Sequence, residues 1–220
     1  MSESSSIINL SSKSKQIIHL SGNDVVFRSI YKGVGDLSIE LYSNPYEFLV
    51  FTIIGQMLSN KVADVICERF LKLCANNICP DVVNSISSDK MRELGMSYSK
   101  TAYIKNLTEA ILSDELDLLS LKNKKDDEIL ADLTKIKGIG KWSAKMFLIF
   151  VLGREDVLPF EDGAFMRAYS IAYNEPKVEL KKLKKRAEKW SPYSSIVARY
   201  FYKALDSGFL VQNPVWDIKS

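Results

Sequence analysis

Two glycines in the sequence Leu133-Thr-Lys-Ile-Lys-Gly-Ile-Gly-Lys-Trp-Ser-Ala144 could give this chain a phosphate-binding turn. Gly138 and Gly140 lie between two segments of helical periodicity, and glycine tolerates positive φ and a close approach by another backbone. The first N–H groups of the following helix have no acceptor inside it and carry the positive end of the helix dipole. A phosphate can bind there through backbone groups alone.

A tight turn between packed helices, with no ligand, is the alternative interpretation of these glycines. The longer pattern Leu-x-x-Ile-x-Gly-Ile-Gly-x-x-x-Ala, however, resembles the helix-hairpin-helix motif of DNA repair proteins. The resemblance implies a contact with the DNA backbone, which gives affinity and register without a choice of sequence. The residues that it implies for this contact are Gly138, Gly140, Lys141 and Ser143.

A carboxylate follows the hairpin within Val157-Leu-Pro-Phe-Glu-Asp-Gly-Ala-Phe-Met-Arg167. Hairpin and segment together resemble the helix-hairpin-helix (HhH-GPD) DNA glycosylase superfamily, whose catalytic Asp matches Asp162; Glu161 is the neighbour most easily confused with it. Cleavage of the N-glycosidic bond builds positive charge on the sugar, which a fixed carboxylate stabilises most in the transition state. The carboxylate could also orient or deprotonate the attacking water. A helix cap is the structural alternative, and the two roles are compatible.

The position at which the family would place a lysine nucleophile holds Trp142. Glycosylases that also nick the DNA backbone form a Schiff base through a lysine amine, located second after the last hairpin glycine. Lys141 comes one residue too early and should point elsewhere on the helix. The resemblance therefore implies a monofunctional enzyme that leaves an abasic site.

No redox or organic cofactor is expected. Cys67, Cys74 and Cys79 form no close Cys-x-x-Cys pair, and buried thiols are the favoured interpretation. The four-cysteine cluster of endonuclease-III-like members is absent from the C-terminal sequence, so no iron–sulfur centre is predicted. By resemblance, the hairpin's backbone carbonyls could hold a monovalent cation, Na⁺ or K⁺, without any side-chain ligand.

Two further segments resemble the alkylbase (3-methyladenine) branch of the superfamily. Gly95-Met-Ser-Tyr-Ser-Lys-Thr-Ala-Tyr-Ile104 is similar to its Gly-(Leu/Met)-Ser-x-x-Lys-x-x-Tyr-(Ile/Leu) segment. The stretch from Trp190 is similar to its Trp-x-Pro-(Trp/Tyr)-Arg-Ser segment, but Ser194 stands where the branch has Arg. The branch acts on alkylated purines of the 3-methyladenine and 7-methylguanine type, which carry positive charge on the base.

An apolar wedge and an aromatic pocket are the other parts that the resemblance implies. The stretch Phe48–Ala63 resembles the helix and loop that carry the wedge, which fills the stack when a base is flipped out. Met57 or Leu58 could enter the stack next to Gln56, although Met57 could equally pack in the core. For a cationic base, Trp142 and Tyr193 are candidate pocket residues, whereas a core position is favoured for Trp190.

The hydrophobic periodicity predicts a mainly α fold with two helical lobes and an active-site cleft between them. Residues 1–15 read as a polar leader, and residues 16–60 with 154–220 are expected to form one lobe. Residues 61–153, which include the hairpin, are expected to form the other lobe. The alternation of Ile39 and Leu41 with polar residues also allows a short N-terminal strand or arm.

Composition adds little about the partner, because the formal net charge is only +3. The Lys177–Lys189 segment is strongly basic; a solvated helix face is the usual explanation, and a phosphate contact is the alternative. No apolar run reaches the length of a membrane span, and no signal peptide is apparent. We expect an intracellular monomer, cytoplasmic in a prokaryote or nuclear in a eukaryote.

Taken together, these patterns predict a monofunctional glycosylase that flips alkylated purines out of duplex DNA in base excision repair. Two alternatives stay open. The protein could be a glycosylase for a deaminated base. It could also be a non-catalytic helix-hairpin-helix module that recognises damaged DNA, with Asp162 serving only as a cap.

Overall fold

The computed structural model describes residues 6–213, and these residues form short helices with one small antiparallel sheet. Within that range, no helix has both the length and the apolar character to cross a bilayer. In chain order the elements are β1 Ile7–Leu10, α1 Lys15–Asn23, α2 Val25–Val34, β2 Leu37–Glu40, α3 Pro45–Gly55, α4 Asn60–Leu73, α5 Pro80–Ser85, α6 Ser88–Glu93, α7 Tyr98–Leu112, α8 Asp126–Lys135, α9 Lys141–Phe150, α10 Gly163–Ala172, α11 Leu180–Ala187, α12 Ser194–Asp206 and α13 Phe209–Gln212.

Two compact units divide the chain. The continuous unit is Tyr42–Leu152, and the discontinuous unit combines the described residues 6–41 and 153–213. The predicted boundary after residue 60 is therefore wrong, because α3 packs against α4, α7 and α9 and lies inside the continuous unit. The second boundary is one residue from the predicted position.

The discontinuous unit is built around α1, α2, α10 and α12, which share one hydrophobic core. The predicted N-terminal strand is confirmed as β2, and Ile39 is its buried residue. Its partner β1 pairs Ile8 with Ile39 and Leu10 with Leu37. The expectation of a polar leader over residues 1–15 fails from Ile7 onward, because β1 inserts Leu10 into the core.

A buried carboxylate organises the centre of this unit. Asp24, only 7% exposed, caps α2 by accepting hydrogen bonds from the backbone N–H groups of Val26 (2.9 Å) and Phe27 (3.2 Å). Its other oxygen accepts from the indole N–H of Trp190 at 2.8 Å and from the hydroxyl of Tyr173. Burial and the Asp24 charge raise the pKa of Tyr173 well above its usual value, so its hydroxyl stays protonated as a donor. Trp190 is thus a core residue, as favoured from the sequence.

Replacement of Asp24 by Ala should lower the free energy of unfolding by about 3–4 kcal/mol. The change removes a helix cap, worth about 1 kcal/mol, and leaves two buried donors without an acceptor at about 1–3 kcal/mol each before relaxation. Urea denaturation measures the loss. Asp127→Ala, an exposed carboxylate in the first turn of α8, is the surface control and should change stability by less than about 1 kcal/mol. Equal losses in the two variants would contradict this account.

The continuous unit is a helical assembly in which α3 is apolar on all sides. Its buried residues come from both faces of the helix, as expected of a helix surrounded by neighbours. Cys74 is buried and Cys67 and Cys79 are half-buried, and burial raises the pKa of Cys67 and Cys74 to about 11. In the described part of the chain no group of three metal-binding side chains occurs. Cys67 and Cys74 therefore carry little thiolate at neutral pH.

Candidate functional site

The predicted hairpin is formed by α8, the turn at residues 136–140 and α9. Gly138 has φ +111°, a region that side chains rarely adopt. A Cβ at this position would also lie 2.3 Å from the Cβ of Tyr103 on α7. Gly138 is therefore required twice, once by the backbone conformation and once by the close packing of α7 beneath the turn.

Gly140 has an ordinary backbone conformation. It is the N-cap of α9 with φ −93°, which any residue can adopt, so of the two hairpin glycines only Gly138 uses positive φ. A Cβ added there would meet nothing within 4 Å. The space in front of the helix N-terminus is thus open, and a glycine there leaves the first turn of α9 accessible to another backbone.

Three carbonyl groups of the turn already have hydrogen-bond donors. Gly138 O accepts from Nε2 of Gln56 at 2.9 Å, and Lys137 O accepts from Nδ2 of Asn106 at 3.2 Å. Ile136 O accepts from the backbone N–H of Ile139 at 3.0 Å. Each of these three oxygens accepts one hydrogen bond and keeps a second lone pair, so a monovalent cation at the hairpin stays a prediction.

The other residues expected at the hairpin differ in their exposure to solvent. Lys141 is exposed at the first position of α9, where its charge can act on a ligand. Ser143, by contrast, is 1% exposed, and its hydroxyl lies 3.4 Å from Nε2 of Gln56. The hydroxyl therefore makes an internal contact. The contact with DNA stays a prediction, and it would use the backbone N–H of Ser143 in the first turn of α9. Trp142 is half-buried between them.

The loop between α3 and α4 carries the three residues considered for the wedge. Met57 is fully exposed and has φ +58°, an unfavourable conformation for a side-chain-bearing residue. The alternative that Met57 packs in the core is therefore excluded. Leu58 is half-buried, and Gln56 is held by Gly138 and Ser143, so Gln56 is corrected from a wedge residue to a tether between this loop and the hairpin.

Asp162 opens α10, as the sequence predicts. Its Oδ1 accepts a hydrogen bond from the backbone N–H of Phe165 at 2.7 Å, and its own N–H donates to Pro159 O at 3.0 Å. The side chain is half-buried, whereas that of Glu161 is exposed. The cap fixes the carboxylate in one orientation, which is the preorganisation that electrostatic catalysis requires.

Tyr202 is a member of this site that sequence reasoning missed. Its buried hydroxyl on α12 lies near the Asp162 carboxylate, and burial together with that negative charge raises the pKa of Tyr202 strongly. Arg199 lies one turn earlier near Tyr202, and burial lowers the pKa of its guanidinium to about 10. No spacing pattern connects residues 162 and 202, so only the folded chain reveals this contact.

The segment from Trp190 leads into α12. Ser194, which stands where the alkylbase branch has Arg, is the first residue of this helix. The Ser194 hydroxyl donates to Oδ1 of Asp156 at 2.5 Å, and its N–H donates to the same oxygen at 3.1 Å. Ser194 thus anchors the start of α12 to the preceding loop. Tyr193 is half-buried and packs edge-to-face on His19, with ring centroids 5.4 Å apart.

The basic helix α11 is largely a solvated face. Lys182 pairs with Glu179 at 2.9 Å, and the half-buried Arg186 pairs with Glu175 at 2.9 Å. Lys184 extends over the ring of Phe160, with its ammonium 5.4 Å from the ring centroid. This contact places positive charge beside the loop that precedes Asp162.

Comparisons with known proteins agree with this fold and motif set. Residues 50–192 match the family described as HhH-GPD superfamily base excision DNA repair protein. The chain is 32% identical over 207 residues to DNA-3-methyladenine glycosylase 1 of Schizosaccharomyces pombe, covering 88% of each chain. It is also 31% identical over 172 residues to DNA-3-methyladenine glycosylase of Saccharomyces cerevisiae, covering 74% of this chain and 58% of that protein.

Solved structures confirm the mainly helical fold. A DNA-3-methyladenine glycosidase from Bacillus halodurans superposes with a TM-score of 0.81 at 29% identity, covering 94% of this chain and 96% of that chain. The 3-methyladenine DNA glycosylase of Schizosaccharomyces pombe, solved in complex with abasic DNA, gives a TM-score of 0.81 at 30% identity, with 88% and 97% covered. The chain belongs to the HhH-GPD superfamily of base excision DNA repair proteins.

Proposed function

We propose that this protein is a monofunctional DNA glycosylase of the alkylbase type, which hydrolyses the N-glycosidic bond of alkylated purines in duplex DNA. The observation that carries the proposal is the placement of Asp162, whose carboxylate is held by the N-terminus of α10 and lies near the buried hydroxyl of Tyr202. The relatives named 3-methyladenine glycosylases support the substrate class, and the complex of one of them with abasic DNA supports duplex DNA as the partner.

The proposed chemistry is electrostatic. As the bond between base and sugar breaks, positive charge develops on C1′ and the ring oxygen, and the negative carboxylate of Asp162 stabilises it. A water molecule then attacks C1′, with the carboxylate orienting it or accepting its proton, so that an abasic site and the free base are released. Because Trp142 occupies the position of the lysine nucleophile, no Schiff base forms and the DNA backbone stays intact.

The proposed DNA grip uses the hairpin and the α3–α4 loop of the continuous unit. A phosphate binds at the open N-terminus of α9 beside Gly140 and Lys141, through backbone N–H groups and diffuse charge. Met57, exposed and held at positive φ, enters the stack in place of the extruded base.

A cationic purine suits the proposed pocket. Its positive charge is attracted by aromatic faces, and it also makes the base a better leaving group. Trp142 in the continuous unit and Tyr193 in the discontinuous unit are each proposed as such a face, independently of the other. Selectivity can therefore come largely from the chemistry of the lesion. We further propose that the protein acts as a monomer and needs neither a redox centre nor a side-chain-bound metal.

Base release from defined duplexes tests this function. The purified protein should release 3-methyladenine and 7-methylguanine from methylated duplex DNA, detected by chromatography of the free base, with activity retained in EDTA. Hypoxanthine and uracil duplexes of the same sequence are the comparison. Preferential release of a deaminated base would favour the first alternative, and binding without release of any base would favour the non-catalytic module.

A further inference from the structure

One face of α7 contacts both of the elements assigned to DNA. Lys100, Tyr103 and Asn106 follow one another at three-residue steps, which keeps them within an arc of about 120° on the helix surface. Lys100 and Tyr103 belong to the Gly95–Ile104 segment that is distinctive in the sequence, and the proposed catalytic chemistry does not use it. The three residues are called the α7 stripe below.

Lys100 binds the end of α3. The loop that follows, residues 56–59 between α3 and α4, is called the Met57 loop below. Its ammonium donates to the carbonyl oxygen of Ile54 at 2.7 Å, and burial lowers its pKa. A positive charge at the C-terminal turn of a helix is favourable, because the last carbonyl groups lack partners and carry negative charge. Ile54 is separated from Met57 only by Gly55 and Gln56, so Lys100 fixes the point from which the exposed loop departs.

The rest of the stripe supports the hairpin. Tyr103 lies so close beneath Gly138 that no side chain fits there, and Asn106 donates to Lys137 O at 3.2 Å. Gln56 then joins the two elements directly through its 2.9 Å hydrogen bond to Gly138 O. The Met57 loop and the turn are thus held both by a shared helix and by each other.

We propose that the α7 stripe is a positioning device that fixes the Met57 loop relative to the phosphate-binding turn, with Lys100 as its key positioning residue. The inference rests on the proposed function, since it assumes that both elements engage one duplex. Insertion of Met57 at the base step set by the bound phosphate requires a fixed offset between them. A loop ordered before binding also avoids an entropy cost on binding.

Lys105 offers a matched control on the same helix. Its ammonium donates to the carbonyl oxygens of Val83 (3.0 Å) and Asn84 (2.9 Å), at the end of α5, and burial lowers its pKa as well. Lys100→Met and Lys105→Met each remove a half-buried ammonium from a backbone carbonyl. Only the first of them changes the support of the Met57 loop.

The experiment compares base flipping with binding in the full-length protein. The probe is a duplex with 2-aminopurine beside a stable abasic analogue, whose fluorescence reports local unstacking, and single-turnover excision is measured on methylated duplex. Lys100→Met should reduce the fluorescence change and slow excision about tenfold, as should Met57→Ala, while affinity for the abasic duplex changes little. Lys105→Met should match the wild type in fluorescence change, excision rate and affinity. Lys100→Arg should recover most of the fluorescence change and excision rate that Lys100→Met loses.

A double variant separates positioning from general destabilisation. If Lys100 acts through Met57, Lys100→Met combined with Met57→Ala should be no slower than Met57→Ala alone, whereas independent effects would add. Additive losses, or equal effects of Lys100→Met and Lys105→Met, overturn the proposal. If Lys100→Met fails to fold, Asn106→Ala, which removes the donor to Lys137 O, carries the same comparison. Failure of the proposed function is distinguishable, because the wild type would then release no base whatever the fluorescence shows.

Discussion

Asp162→Asn should bind duplex DNA as the wild type does and should excise alkylated bases on the order of 10³-fold more slowly. Asparagine keeps the acceptor for the N–H of Phe165 and caps helices as well as aspartate, so α10 should form unchanged. What disappears is the negative charge that stabilises the sugar cation. Single-turnover base release measures the rate, and fluorescence anisotropy on a labelled abasic duplex measures the affinity.

Glu161→Gln is the matched control for this prediction. It removes the same charge from the adjacent, exposed residue. Its excision rate should stay close to that of the wild type. If Asp162→Asn excised bases at the normal rate, Asp162 would be only a helix cap and the catalytic assignment would be wrong.

The two hairpin glycines should differ strongly in how much stability is lost when one methyl group is added. Gly138→Ala should lower the free energy of unfolding by about 3 kcal/mol, because it combines an unfavourable φ with an overlap against Tyr103. Gly140→Ala should cost less than about 1 kcal/mol, since its φ is ordinary and its surroundings are open. Urea denaturation of both variants gives these values.

The main effect of Gly140→Ala should be on DNA affinity and not on stability. A methyl group at Gly140 stands where the phosphate must approach, and the loss of one hydrogen bond to a charged group, about 1.5 kcal/mol, weakens binding about tenfold. Anisotropy titrations at constant salt measure the change. Unchanged affinity in Gly140→Ala would remove the phosphate from the N-terminus of α9.

The parts of the site that could be predicted from the sequence are those with local patterns. The hairpin turn and the cap at Asp162 each depend on residues a few positions apart, and both lie where predicted. The conformations of the individual glycines were not predictable, because the spacing of Gly138 and Gly140 does not say which of them takes positive φ. Only the packing of Tyr103 and the start of α9 separates the two.

The contacts that escaped prediction join distant parts of the chain. Gln56 reaches Gly138, and Tyr202 reaches Asp162, and neither pair has a spacing rule. The lobe boundary failed for a related reason. Because α3 is apolar on all sides, its sequence shows that it is buried but not against which neighbours.

The discontinuous unit imposes an order on biosynthesis. During translation, Tyr42–Leu152 is complete and able to fold before α10 and α12 have been made. Meanwhile, the apolar surfaces of the nascent β1–β2 pair and of α2 stay exposed to solvent until α12 is synthesised and packs on α2. Aggregation during slow or stalled synthesis should therefore begin in the N-terminal segment, while Tyr42–Leu152, the unit proposed to grip DNA, is already folded.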